Sequence, residues 1–309
     1  MKLYLNNPNE EWIVDRLCQE WNQHNSIFST NDPNKADLLW IISPWSVSNI
    51  SKKFLREKKV VCTIHHIDFD KFDFNEKREF KKLDKYVDFY HVISDKTEND
   101  LKKITDKEIW NNPWWIDSKL WYEINEKKEL RRKYNIDQES YLVGSFQRDT
   151  EGADLKSPKL SKGPDRFITI VKALSKEFPN LEVVLAGKRR QYVLKQLKQE
   201  KIKFYYFEMV EPKLLNELYN MLNLYVVSSR IEGGPQAIYE CALSKTPIIS
   251  TNVGVATKFL HPSSIFKMDN FMEAKPNTEY AYDKIQTQII PEGFTPFINK
   301  FKVLLFNIF

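Results

Sequence analysis

Two carboxylates, Glu232 and Glu240, flank a Gly-Gly-Pro turn in IEGGPQAIYECAL and are separated by seven residues. Glu232 falls in a loop before a helix and Glu240 further along that helix. The pair can therefore accept hydrogen bonds from vicinal hydroxyls at two ends of one ligand. Gly233 and Gly234 leave backbone N–H groups open to whatever lies in front of the helix, and Pro235 suits its first turn, where a missing N–H costs nothing. Amides at a helix start make an anion site, reinforced by the positive end of the helix dipole.

The elements that must hold these residues are legible in the hydrophobic period. In the first half KLYL, DLLWIIS, KVVCTIHH and DFYHVIS are strand-like, separated by helix-like residues 12–24, KKFLREK, residues 76–85 and KTENDLKKI. EIWNNPWWID then turns at Pro113, and the Lys/Glu-rich residues 118–137 are poor in core positions. The second half alternates SYLVGSF, LEVVLAG, KFYYFE, NLYVVSS and TPIISTN with helical DRFITIVKALSKEF, QYVLKQLKQ, LLNELYNML and PQAIYECALS. Short β-branched or aromatic strands alternating with helices predict parallel sheets, an α/β architecture. The expected domains are residues 1–120, residues 121–290 and a closing helix at 291–309, where Phe297, Phe301, Leu304, Leu305 and Ile308 form a face that needs a partner. All eight glycines lie at or after Gly144, and Gly144, Gly187, Gly233, Gly234 and Gly254 fall by strand ends. Ligands of open α/β sheets bind beyond the carboxyl ends of strands, where glycine lets amides approach a phosphate. A nucleotide is therefore expected in the second domain.

A chain of 309 residues with 42% hydrophobic content suits two domains. No apolar run is long enough to span a membrane, and MKLYLNNPNEEW has no apolar h-region, so neither a span nor export is expected. Cys18, Cys62 and Cys241 are odd in number and lack CxxC spacing, which argues against disulfides and zinc and for a reducing cytoplasm. Net charge is +5, with 42 acidic residues interleaved among 47 basic ones, so a dedicated nucleic-acid groove is not expected. The Lys-rich helices near Lys81 and Lys195 read as solvated faces, with an acidic membrane face as their second reading. The corresponding location is cytoplasmic, with a peripheral seat on the inner membrane face as its variant.

The E-x7-E pattern in its strand-loop-helix setting resembles the retaining GT-B glycosyltransferases of glycosyltransferase family 4. The resemblance implies two Rossmann-like, doubly wound parallel-sheet domains facing a central cleft, and a UDP- or GDP-sugar as donor substrate. By position it implies Glu232 on the donor-sugar hydroxyls, Gly233, Gly234 and Pro235 at the sugar and diphosphate, and Glu240 on the ribose. It also implies an Arg and a Lys on the diphosphate, matched by Arg148 in GSFQRDTEG, which follows Gly144, and by Lys162 before Gly163. In the first domain CTIHHID resembles the family's Thr-x-His, which implies His65 beside the donor sugar and the reacting carbon. NNPWWID, with Asn112, Pro113 and Asp117, resembles its interdomain segment, and VISDKTENDL its Ser-acid-Thr turn. Where the family carries a glycine-rich loop after the first strand, this chain has NNPNEEW.

Departure of a nucleoside diphosphate develops negative charge, which amides, a helix N-terminus, Lys162 and an Arg can stabilise with no metal and no cofactor. The resemblance implies retention by front-face attack, assisted by the leaving phosphate, for which no enzyme nucleophile is needed. The expected activity is hexose transfer to an acceptor hydroxyl of a glycan, a lipid or another molecule. Two other readings are a non-catalytic sugar-nucleotide-binding partner protein and a phage-type transferase acting on modified DNA bases. Asp68 and Asp70 spell the DxD that binds a metal in the other main glycosyltransferase architecture, but a bare DxD is common by chance. His65 and His66 at a strand end also fit core histidines satisfied by backbone, and Trp114 and Trp115 fit packing as well as sugar stacking.

Overall fold

The computed structural model describes residues 1–9 and 13–306. Trp12, at the predicted start of the first helix, and Ile308, on the predicted closing face, lie outside the described residues. The chain divides into two compact units, Met1–Trp115 with Ile290–Phe309, and Ile116–Ile289.

In the first unit β1 (Leu3–Asn6), β2 (Leu38–Ile41), β3 (Lys59–Ile64), β4 (Phe89–Val92) and β5 (Glu108–Asn111) form a parallel sheet whose neighbours follow chain order. The period-two alternation of side chains sorts each strand onto two buried faces. Leu39, Ile41, Cys62, Ile64, Tyr90 and Val92 meet the helical residues Leu55, Leu83 and Leu101 in one core. On the opposite face Trp40 Nε1 donates to Thr63 Oγ1 at 2.9 Å, and Thr63 Oγ1 lies 3.0 Å from His91 Nδ1. His91 Nε2 completes the chain with Asn112 O at 2.8 Å, so this buried polar row is satisfied. The helix Thr295–Phe306 brings Phe297 and Phe301 to within 5.5 and 5.1 Å of the Trp40 ring. Trp114 stacks on Phe297 at 5.8 Å, and Trp114 and Trp115 are each 1% exposed. The closing helix thus finds its partner in tryptophans, and burial of each large ring contributes about 1.5–3 kcal/mol. Sugar stacking on either tryptophan is excluded by that burial.

The second unit contains β6 (Tyr141–Ser145), β7 (Leu181–Ala186), β8 (Phe204–Phe207), β9 (Leu224–Val227), β10 (Ile248–Thr251) and β11 (Ile265–Phe266). Their order in the parallel sheet is β11-β10-β9-β6-β7-β8, so the winding reverses between β6 and β9. That reversal is the switch point at which open α/β sheets bind ligands beyond the strand ends. Val143, Val183, Leu185, Val226 and Ile249 pack under Phe167, Ile170 and Val171 of the helix Pro164–Glu177, which sets the roof of one layer. Gly144 corrects an expectation. It lies inside β6, not beyond it, and a Cβ there would stand 2.2 Å from Leu222 Cδ1. Its missing side chain makes room for a core leucine. Among the described residues no helix is long and apolar enough to cross a membrane.

Candidate active site

The carboxyl ends of β6 and β9 are joined by a loop that the sequence places far from both. After β6 come Phe146, Gln147 and Arg148, and after β9 come Ser228, Ser229 and Arg230. The 3-10 turn Leu160–Lys162 lies against both ends. Gln147 Nε2 donates to Lys162 O at 3.0 Å, Ser228 Oγ to Gly163 O at 2.8 Å, and Arg230 N to Ser161 O at 2.8 Å. Gly163 makes this approach feasible. It adopts φ 63 and ψ 40, and an added Cβ would stand 1.9 Å from Ser228 O. Arg230 then clamps Asp165, the second residue of the following helix, through two bonds of 2.7 and 2.6 Å. The guanidinium fork holds the Asp165 carboxyl below its usual range.

This scaffold delivers the Lys162 ammonium to the Glu232 carboxylate, and the two form an ion pair with side chains only 19% and 11% exposed. Ser229 Oγ stands 3.4 Å from Glu232 Oε1 and 3.4 Å from Gln147 Oε1. Gln147 and Ser229 were not singled out by the sequence. Each lies two residues beyond the end of a strand at the switch point, a position that could have marked them.

Gly233 and Pro235 pack against the loop after β10. Gly254 has φ +54, and a Cβ on it would come within 2.3 Å of Gly233 O and 2.9 Å of Pro235 Cδ. Thr251 Oγ1 donates to Ser229 O at 2.6 Å and ties the same loop to the end of β9. The helix Gln236–Leu243 begins one residue later than expected, with Pro235 as its N-cap. A proline fits there because the cap's own N–H makes no intrahelical bond. Gly234 and Glu232 precede it, so the helix start and Lys162 share one locale.

Glu240 is 5% exposed, and its Oε2 accepts a 2.7 Å hydrogen bond from Tyr219 OH. Burial, together with the Glu240 charge, pushes the Tyr219 phenol well above its ordinary pKa, so it stays a donor. Tyr219 is a partner the sequence did not reveal, because it belongs to the helix Pro212–Met221. Tyr219→Phe is expected to cost about 1.5–3 kcal/mol of stability, read as a lower urea midpoint, because a buried carboxylate loses a donor. An unchanged midpoint would show that the phenol contributes nothing to Glu240.

Arg148 is half-buried in the loop after β6, where burial first and the neighbouring Arg189 second lower its pKa. Beneath that loop a pair not anticipated from sequence is buried: Arg190 Nε lies 3.2 Å from Asp149 Oδ2, with Arg190 Nη2 3.3 Å from Ser145 Oγ. Desolvation raises Asp149 to about 6, and Arg190 opposes that rise. The pair anchors the stretch from which Gln147 and Arg148 project.

His65 belongs to the first unit and the residues above to the second. It stands just beyond β3, half-buried, with Nε2 2.9 Å from Ile42 O. Thr97 Oγ1, in the Ser94-capped turn, donates to His65 O at 3.2 Å and fixes its backbone. Because a carbonyl can only accept, Nε2 carries the proton and Nδ1 presents a lone pair. Burial lowers His65 from 6.5 to about 4. A histidine that resists protonation when folded stabilises fully above about pH 6.5, and that contribution is lost as pH falls toward about 4. Over this window the first unit is expected to lose about 1–2 kcal/mol, discounted for partial exposure, and His65→Gln to abolish that slope in urea titrations. A variant with the wild-type slope would contradict it. Asp68 caps its own turn, with Oδ1 accepting from Asp70 N at 3.2 Å. Among the described residues no three His, Cys, Asp or Glu groups gather to hold a metal.

A family model described as glycosyl transferases group 1 matches residues 126–286, more than half of the chain. The protein belongs to that family and is a glycosyltransferase. No curated protein sequence matches the chain. Among solved structures, HepE from Anabaena, in complex with UDP and glucose, is similar with a TM-score of 0.75 and 12% identity, over 97% of this chain and 98% of that one. Sucrose-phosphate synthase from Thermosynechococcus elongatus gives 0.70 at 14% identity, over 95% and 78% of the two chains. A glycosyltransferase from Rickettsia africae gives 0.65 at 16% identity, over 98% and 84%. At these identities the likeness establishes the fold, which is GT-B, α/β with two parallel sheets.

Proposed function

We propose that the protein transfers a hexose from a nucleoside-diphosphate sugar to an acceptor hydroxyl with retention of configuration and without a metal. The observation that carries this reading is the meeting of Lys162, Glu232 and the Gly-Gly-Pro helix start at the β6–β9 switch point. In this assignment the diphosphate sits against the Gly233 and Gly234 amides and the helix tip, where its charge is favoured. Its oxygens compete with Glu232 for Lys162, which frees the carboxylate to accept bonds from sugar hydroxyls. Glu240 takes the ribose hydroxyls, sharing its carboxylate with Tyr219. Arg148 supplies a second cation.

The anomeric carbon loses its bond to the β-phosphate oxygen and gains one to the acceptor oxygen. The acceptor's proton passes to the departing phosphate oxygen, so no side-chain nucleophile enters the balance. Lys162, the amides and the helix dipole stabilise charge that grows on the leaving group. UDP is favoured as the carrier, since structures of the similar HepE contain UDP and UDP-glucose. A cytoplasmic setting fits the three buried thiols Cys18, Cys62 and Cys241. Incubation with a panel of UDP- and GDP-sugars is expected to release the nucleotide, fastest with one UDP-sugar. Binding without release, unaffected by Glu232→Ala, would favour a non-catalytic partner protein, and no binding at all would overturn both readings.

A further inference from the structure

In the first unit a groove of about 370 Å³ lies between the helix Phe74–Asp84 and the segment that follows the helix Asp95–Leu101. Its floor is apolar, made by Phe72, Phe80 and Ile104, and Phe80 is fixed by stacking on Tyr90 at 5.8 Å. Four amines stand around it, Lys77, Lys81, Lys102 and Lys103, against one lining carboxylate, Asp106. Lys102 is partly neutralised by Glu98 at 2.6 Å and Lys103 by Asp100 at 2.7 Å. Lys77 and Lys81 form no ion pair with any described residue, while their neighbours Arg78 and Lys82 share Glu79. They lie four positions apart on one helix face, so their charges repel, and an anion between them relieves that cost. Beside the groove two rings face solvent, Phe74 at 78% and Phe69 at 42% exposure, with Lys103 Nζ 5.1 Å from the Phe69 centroid.

Unpaired amines over an apolar floor, next to exposed aromatic rings, suit an amphiphile with an anionic head. A hydrated free phosphate uses the amines but neither the floor nor the rings. We propose that this face seats the phosphate headgroup of an anionic lipid, with Phe69 and Phe74 entering the interfacial layer of the same membrane. The Thr105 hydroxyl is engaged with Asp84 at 2.7 Å, so recognition rests on charge and apolar contact and not on a stereospecific hydrogen-bond set. The proposal is independent of the donor reading.

Co-sedimentation of the full chain with phosphatidylcholine vesicles, with and without phosphatidylglycerol, tests it. Binding is expected only to the phosphatidylglycerol vesicles and weakens with added salt. K77E/K81E is expected to lower the partition coefficient roughly tenfold or more. Phe74→Ser, with both lysines intact, is expected to lower it as well. Both variants keep the wild-type circular dichroism and UDP affinity, which separates lost binding from lost folding. Equal binding to pure phosphatidylcholine, or undiminished binding by K77E/K81E, overturns the proposal. So does protection of Lys77 and Lys81 from amine acylation by glycerol phosphate without any vesicle binding, which assigns the groove to a soluble phosphate.

Discussion

Lys162→Ala is expected to lower turnover of the nucleotide sugar roughly ten- to a hundredfold, because one charge-assisted hydrogen bond to the leaving diphosphate contributes about 1.5–3 kcal/mol. The loss should fall mainly on kcat, since the charge that Lys162 meets grows as the sugar–phosphate bond breaks. The fold should survive, because the loop is held by the backbone oxygens of Ser161, Lys162 and Gly163 and not by the amine. The ion pair with Glu232 adds a second expectation. Lys162→Ala leaves a carboxylate only 11% exposed without its cation, so Lys162→Ala combined with Glu232→Gln should cost less than the two single losses added together. Strict additivity of the two losses would show that the residues act apart.

Gly163→Ala is expected to destabilise the second unit by about 2–5 kcal/mol, from left-handed backbone strain together with overpacking. At φ 63 the new methyl would stand 1.9 Å from Ser228 O and 2.7 Å from Ser228 C, both backbone atoms of a residue pinned by its own hydroxyl. Neither side can retreat without parting β9 from the Lys162 loop. Gly187→Ala is the matched control, with φ +95 and nothing within 4 Å of the added atom. It carries backbone strain alone, so its cost should be clearly smaller. Urea midpoints of the two variants measure the contrast, and equal midpoints would show that the contact with Ser228 relaxes freely.

The elements legible in the sequence were those whose own residues decide them. LEVVLA and LYVV are β-branched runs between polar turns, and they form β7 and β9. β5 was hidden because EIWN has a single β-branched residue, Ile109, and runs directly into Asn112 and Pro113. β11 has two residues and no periodicity to read. The helix Lys127–Lys133 lies in a stretch that offered few core positions, and its buried residues are Leu130 and Arg131. Arg131 is held by bonds to the nearby Ser140 O and to Met221 O and Asn223 Oδ1, two partners distant in sequence that no local pattern announces.

The site divides in the same way. Glu232, Gly233, Gly234 and Glu240 are contiguous in the chain, so their spacing alone suggested a ligand with two hydroxyl-bearing ends. Tyr219, Gln147 and Ser229 are set by tertiary contact and stayed hidden. Gly144 misled because a glycine near a strand end signals close approach without saying what approaches, and here it is Leu222.

A crystal structure of the protein with a bound UDP-sugar would test the assignment of the donor site most directly. The expected result is a diphosphate on Lys162 Nζ and the Gly233 and Gly234 amides, sugar hydroxyls on Glu232 and the ribose on Glu240. A nucleotide seated away from the ends of β6 and β9, with Lys162 still paired to Glu232, would contradict it.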